Sequence, residues 1–334
     1  MENFVRCMIS QEVSVKHLCI STEKHPYNVV NYPVSIANEI CPEAVVVKTN
    51  VNPISAFIHL FCKGSYNVSR FYSEEMKQLI LKTIREDQYD TIILDSLYTT
   101  AYLNSIRKHF DKKIIARIHN IESDIWDAYA LHESNFLKKK YLKRLAKDIR
   151  LYETKVLSNV CAVLSITEDD KLTLNEIGVK TPCIAVPVTI PMVKDLTIDY
   201  KVSNVFHLGA MNWQPNIEAV QRLIKLFPQI RRQSPTVNLH LAGACFPKDI
   251  ENSRSNHIHI DGFVKDPKEF ASNSGILVSP IISGSGVRIK ILEMMSIGIP
   301  VVTTKLGAQG INHQENDCLL IADSDEEIIT ATTE

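Results

Sequence analysis

This sequence predicts a two-domain α/β fold in which each domain is a mostly parallel sheet flanked by helices. Three observations carry the prediction. Short β-branched runs alternate with amphipathic stretches, the alternation breaks and restarts after Tyr200, and 334 residues with a 45% hydrophobic share exceed one ordinary core.

The strand candidates of the first half are Val13 to Ile20, Ala44 to Val47, Thr91 to Leu94, Ile114 to Ile118, Val160 to Ile166 and Cys183 to Val188. Runs this apolar suit strands covered on both faces. After Tyr200 come Val205 to Leu208, Val237 to Leu241, His257 to Ile260, Ile276 to Val278 and Ile299 to Thr303. Pro187 and Pro191 interrupt the pattern, which predicts domains at 1–190 and 204–334 joined by a linker over 191–203. Ligands of open α/β sheets sit outside the carboxyl ends of the strands, so the loops after these runs are where chemistry is expected.

Both ends read as cut. Met1 to Gln11 has helical spacing at Phe4, Val5, Met8 and Ile9, whereas a nucleotide-type α/β domain opens with a strand and a loop, so these are expected to be missing. Ser324 to Glu327 form a capping box that starts a helix, and the chain stops at Glu334 short of a usual helix length, so a closing helix is expected to be missing too.

A net charge of −1 gives no global pull toward nucleic acid. The eight cysteines, at 7, 19, 41, 62, 161, 183, 245 and 318, show no metal-ligand spacing and read as reduced, buried thiols. Neither a basic-then-apolar leader nor an apolar run of spanning length occurs, which makes the cytoplasm the expected compartment. Asn135 to Leu157 reads as a long helix with cations at Lys138, Lys139, Lys140, Lys143, Arg144 and Lys147. A solvated cationic face is the favoured reading, and peripheral contact with anionic headgroups of the inner membrane surface is the sharper alternative.

The run Ser279 to Gly310, SPIISGSGVRIKILEMMSIGIPVVTTKLGAQG, combines a strand, a glycine loop, a helix start and a further strand. Gly284 and Gly286 let the backbone approach an anion, the helix start offers unpaired N–H groups, and Arg288 and Lys290 add charge. Lys290 and Glu293 are three apart on one helix face, open either to a nucleotide, phosphate by the lysine and ribose by the carboxylate, or to a solvated salt bridge. The nucleoside triphosphatase loop is excluded, because Ile289 precedes the lysine and Ile291 follows it. Upstream, GAMNWQPN places Gly209, Met211 and Asn212 between a strand and a helix start, where they could hold a diphosphate or simply let Pro215 and Asn216 open the helix. Gly243 and Gly262 end two more strands, and Phe263 and Val264 could line a nucleobase slot, with simple packing favoured for Phe263. His119 ends the strand Ile114 to Ile118, with Glu122 as a candidate cap for a helix beginning near Ser123 or Asp124.

GAMNWQPN, DGFVKD and SGSGVRIKILEMMSIGIPVVTTKLGAQGI, taken in this order, resemble the donor half of family 4 glycosyltransferases of the GT-B fold. ARIHNIESDIW resembles the HN-x-E segment of the other half, and RLYETKVLSNVCAVLSITEDD the helix and strand leading to the interdomain hinge. The resemblance implies two facing Rossmann-like domains, residues 1–190 on the acceptor side and 204–334 holding the donor. It implies transfer of a sugar from a nucleotide-diphosphate sugar with retained configuration and no obligatory metal or cofactor. The acceptor would be a glycan, a lipid-linked molecule or a small molecule. Arg288 and Lys290 would offset diphosphate charge, Glu293 would bind ribose, and His119 would face the reacting sugar without acting as a nucleophile. Gly286, Val287 and Ser285 would complete the donor loop. Ser285 departs from the family pattern, which has a glutamate there, so the sugar is not named. Another GT-B activity, epimerase or hydrolase, and a noncatalytic nucleotide-sugar binding protein are the alternatives. A chain lacking the opening loop and closing helix is expected to turn over weakly or not at all.

Overall fold

The structure, a computed structural model, describes residues 2–29, 32–50, 65–188, 190, 196–202, 204–284, 286–311 and 318–333. The chain divides into two compact units, Met1–Thr189 and Ile190–Glu334.

In the first unit, β1 (Leu18–Ser21) and β2 (Glu43–Val46) form a parallel pair connected through the helix Val34–Ile40. A second parallel sheet follows in chain order: β3 (Thr91–Asp95), β4 (Lys113–Ile118), β5 (Ala162–Ser165) and β6 (Cys183–Ala185). Strand β1 starts five residues later than the run from Val13 suggests. Only residues 18–21 pair in strand register; His17 still exchanges backbone bonds with Ile40 and Glu43, and further back the neighbouring chain is helical and offers no ladder to residues 13–16.

The helix Phe136–Leu157 is capped at Asn135, whose side chain accepts from the Lys138 N–H. It packs on the helix Glu122–His132 and also caps it. Buried Glu153 accepts from the backbone N–H of Glu122 at 3.0 Å and from the N–H and hydroxyl of Ser123 at 3.4 and 2.8 Å. Burial pushes this carboxyl up to about 7, against those hydrogen bonds. Glu122 is therefore not the cap that its position suggests. It is the first helical residue, and its carboxylate accepts from the Tyr98 hydroxyl at 2.6 Å. A partner 30 positions away satisfies the helix end, which no local pattern announces.

Several cations of the long helix are engaged locally: Lys138 with Glu133 at 2.6 Å, Arg144 with Asp148 at 2.9 Å, and Lys139 with the Leu131 carbonyl at 3.1 Å. Among the described residues no helix is long and apolar enough to cross a membrane. The expectation of buried thiols is corrected. Cys7, Cys41, Cys161 and Cys245 are exposed and Cys19, Cys183 and Cys318 half-buried, while Cys62 lies outside the described residues.

The second unit is one six-stranded parallel sheet: β7 (Val205–Leu208), β8 (Leu239–Ala242), β9 (Ile258–Gly262), β10 (Ile276–Ser279), β11 (Val301–Thr303) and β12 (Leu319–Ile321). Its spatial order is β12-β11-β10-β7-β8-β9, so the strand order reverses between β7 and β10. That is the doubly wound arrangement, and the reversal opens a crevice at the carboxyl ends of these two strands. Strand β12 is absent from the sequence reading because three residues, two of them exposed, give no period to recognise. The described part of the expected linker packs onto this unit through Leu196 and Ile198. The capping box forms, with the Ser324 hydroxyl accepting from the Glu327 N–H at 3.1 Å and Glu327 accepting from the Ser324 N–H at 2.9 Å.

Three glycines meet at the strand ends. The Gly243 N–H donates to the Gly262 carbonyl at 2.7 Å, and a Cβ on Gly243 would fall 1.9 Å from the Gly209 carbonyl oxygen. No side chain fits between the β7 and β8 loops there. Gly243→Ala is expected to cost more than about 2 kcal/mol of stability, read as a lower urea midpoint, whereas an unchanged midpoint would show that the loops part freely.

Candidate functional site

The site is built at the reversal of the second sheet, from the loop 209–213 after β7 and residues 280–284 and 286–288 after β10. Pro215 sits in the first turn of the helix Gln214–Gln233, and Asn216 beside it is buried. Asn216 does not cap the helix. Its Nδ2 donates back to the Ala210 carbonyl at 2.9 Å, and its Oδ1 accepts from Lys290 Nζ at 3.0 Å.

The second partner of Lys290 lies inside β7. His207 is fully buried, and its Nδ1 is 3.0 Å from the Val278 carbonyl, an acceptor only, so Nδ1 carries the proton. Nε2 is then an acceptor, 3.0 Å from Lys290 Nζ. Burial, followed by the charge of Lys290, holds the imidazole well below its ordinary pKa and keeps it neutral. Lys290 thus donates to two neutral groups, and desolvation together with the charge of Arg288 pushes its pKa down to about 7.

Arg288 occupies the N-cap position of the helix Ile289–Ser296 without a side-chain capping bond and is 4% exposed. Its guanidinium donates to the carbonyls of Gly286 and Ser283, the latter at 3.4 Å, and lies 5.8 Å from the centroid of the Trp213 ring. Burial lowers its pKa. Gly284 and Gly286 take φ of +90° and +83°, the left-handed region open to glycine, and a Cβ on Gly284 would press on Pro215 at 2.9 Å. The Ser283 hydroxyl ties this loop to the neighbouring helix by donating to Glu218 Oε2 at 2.5 Å.

The remaining expected donor residues divide. Asn212 is exposed in the β7 loop, and Val287 packs partly against the core. Met211 turns its side chain into the core at 2% exposure and donates its N–H to the Ala244 carbonyl at 2.7 Å, which leaves only its carbonyl for a ligand. Phe263 is 79% exposed and so does not pack as favoured above, whereas Val264 is the one that packs. The Lys290–Glu293 salt bridge is also corrected. Lys290 reaches His207 and Asn216 across the sheet, while Glu293, half-buried, has its pKa raised by burial and opposed by Lys268. Ser285 lies outside the described residues.

His119 belongs to the first unit, at the end of β4. Its Nε2 donates to Asp95 Oδ1 at 2.7 Å, and Arg117 pairs with the same oxygen at 3.0 Å. Burial pushes the Asp95 carboxyl up, but the His119 hydrogen bond and the Arg117 charge outweigh it and hold the pKa below the usual value. Among the described residues, no group of three or more His, Cys, Asp or Glu could hold a metal ion.

Sequence reasoning misses His207, Asn216, Glu218, Ser283 and Asp95. His207 carries a usable signal, because a histidine within a strand covered on both faces needs two hydrogen-bond partners.

Residues 203–334 match the family model described as Glycosyl transferases group 1. An uncharacterized 44.6 kDa protein of the cps region of Klebsiella pneumoniae is 24% identical over 294 residues, 80% of this chain and 75% of that protein. Anabaena HepE in complex with UDP and glucose superposes with a TM-score of 0.62 at 12% identity, covering 96% of this chain and 89% of that one. A variant of S. aureus TarM in complex with fondaparinux, alpha-GlcNAc-glycerol and UDP gives 0.57 at 15% identity. The match covers 77% of this chain and 51% of TarM, so the chain spans about half of that protein. The fold is that of the GT-B glycosyltransferases, and the match to group 1 glycosyl transferases lies over the doubly wound sheet that carries Arg288 and Lys290.

Proposed function

We propose that the chain is a retaining glycosyltransferase of family 4 that moves a sugar from a nucleotide-diphosphate sugar to a glycan, lipid-linked or small-molecule acceptor in the cytoplasm. One observation carries the reading. Lys290, hydrogen-bonded among the described residues to neutral groups only and next to buried Arg288, stands where a doubly wound sheet binds ligands. Two cations, Arg288 buried and Lys290 partly buried, suit the charge that develops on a departing nucleoside diphosphate, and the amides at the start of the helix Ile289–Ser296 add to them. The UDP held by HepE and TarM makes UDP the first nucleotide to test. Retention and the role of His119 at the reacting sugar rest on the resemblance of the HN-x-E segment.

Product analysis tests the reading. Incubation with UDP-sugars should release UDP in the presence of extracted glycan or lipid-linked acceptors and little without them. Equal release without acceptor would make the protein a hydrolase, an altered sugar on intact donor would make it an epimerase, and binding without turnover would make it a noncatalytic binder.

A further inference from the structure

The contacts of Lys290 hold more than a clamp requires. An ammonium has three N–H donors, and among the described residues two are used, on His207 Nε2 and Asn216 Oδ1, each at 3.0 Å. Both acceptors are fixed from behind. His207 is anchored by its Nδ1 proton on Val278, inside a strand whose four residues are all buried, and Asn216 by its amide on Ala210. Two fixed acceptors set the direction of the third N–H.

They also set a proton requirement. A neutral amine has two N–H groups and a lone pair, so it satisfies both acceptors and turns the lone pair where the third N–H was. The protein therefore loses neither hydrogen bond when Lys290 gives up its proton, but a phosphate oxygen then meets a lone pair instead of a donor. The other charged and titratable groups on the surrounding elements are Arg288 at the helix start, Glu218 held by Ser283, and Glu293 opposed by Lys268. Of these, Arg288 disfavours the charged lysine, and burial does so more strongly.

We propose that His207 and Asn216 are positioning residues that aim Lys290 Nζ at a nucleoside diphosphate and favour its charged, donating form. The proposal rests on the reading of Lys290 as a diphosphate clamp. His207 favours the charged form by accepting from it, so losing the imidazole shifts the lysine further toward neutrality.

Titration of UDP into the full chain at pH 5.5 and pH 8 tests this, with affinities read as the ratio of wild type to variant so that titration of the nucleotide itself cancels. For His207→Phe and Asn216→Ala the ratio should exceed one at pH 5.5 and be about tenfold larger still at pH 8, the signature of a lysine that has lost its aim and whose pKa is lowered by about one unit. A ratio that is the same at both pH values would show a merely structural role and overturn the proposal. If His207→Phe does not melt cooperatively, Asn216→Ala decides by the same comparison. Lys290→Ala separates the two layers. Affinity unchanged at both pH values would sink the clamp itself, whereas weakened binding in that variant beside flat ratios in the other two would sink only the positioning.

Discussion

Replacing Lys290 with alanine is expected to lower kcat/KM for the nucleotide sugar by about 10² to 10³, equivalent to roughly 3–4 kcal/mol of transition-state stabilisation. The size follows from the site. A cation desolvated at the end of a buried strand acts in a lower dielectric than a surface lysine, and it does not reorganise as the diphosphate departs. The same desolvation predicts that folding survives. A lysine whose ammonium is disfavoured by its surroundings contributes little stability, and water can occupy the space between His207 Nε2 and Asn216 Oδ1. Kinetics with a melting curve on the same sample check both halves. A rate within threefold of wild type would remove Lys290 from the chemistry, and a collapsed melt would assign it to the fold.

The second large effect is expected at His119. Asp95, held charged, fixes the Nε2–H bond, so that in the neutral form of the ring Nδ1 is the acceptor nitrogen. If this nitrogen meets the reacting sugar or its acceptor, His119→Asn should cut turnover by about 10² or more while leaving UDP affinity within about twofold, because Arg288 and Lys290, the proposed diphosphate contacts, belong to the other unit. Loss of donor affinity in step with rate would place His119 in donor binding. Retained rate together with retained binding would end its proposed role.

The strands were legible in the sequence because a covered parallel sheet writes itself as isolated β-branched runs, and this holds for β2 to β11 within a few residues. Strand β1 was overextended, since the run from Val13 has apolar character without a partner strand, and β12 was too short to carry a pattern. The loop and helix start around Arg288 could be read from glycines, charge and position. The partners of Lys290 could not, because they come from β7 and from the helix Gln214–Gln233, more than 70 residues upstream, and join it only when the strand order reverses. The same limit hid the capping of Glu122 and Ser123 by Glu153 and the pairing of His119 with Asp95. Helical spacing alone pointed Lys290 toward Glu293, where burial instead directs it across the sheet.

The central claim is that the second unit binds a nucleoside diphosphate at the reversal of its sheet. Its most direct test is a thermal-shift panel with UDP, GDP, ADP and CMP on the wild-type chain and on Lys290→Ala. At about a hundred times its dissociation constant the preferred nucleoside diphosphate should stabilise the wild type by roughly 2.7 kcal/mol and the variant far less. Unshifted melts with every nucleotide, or an equal shift in the variant, would contradict the account.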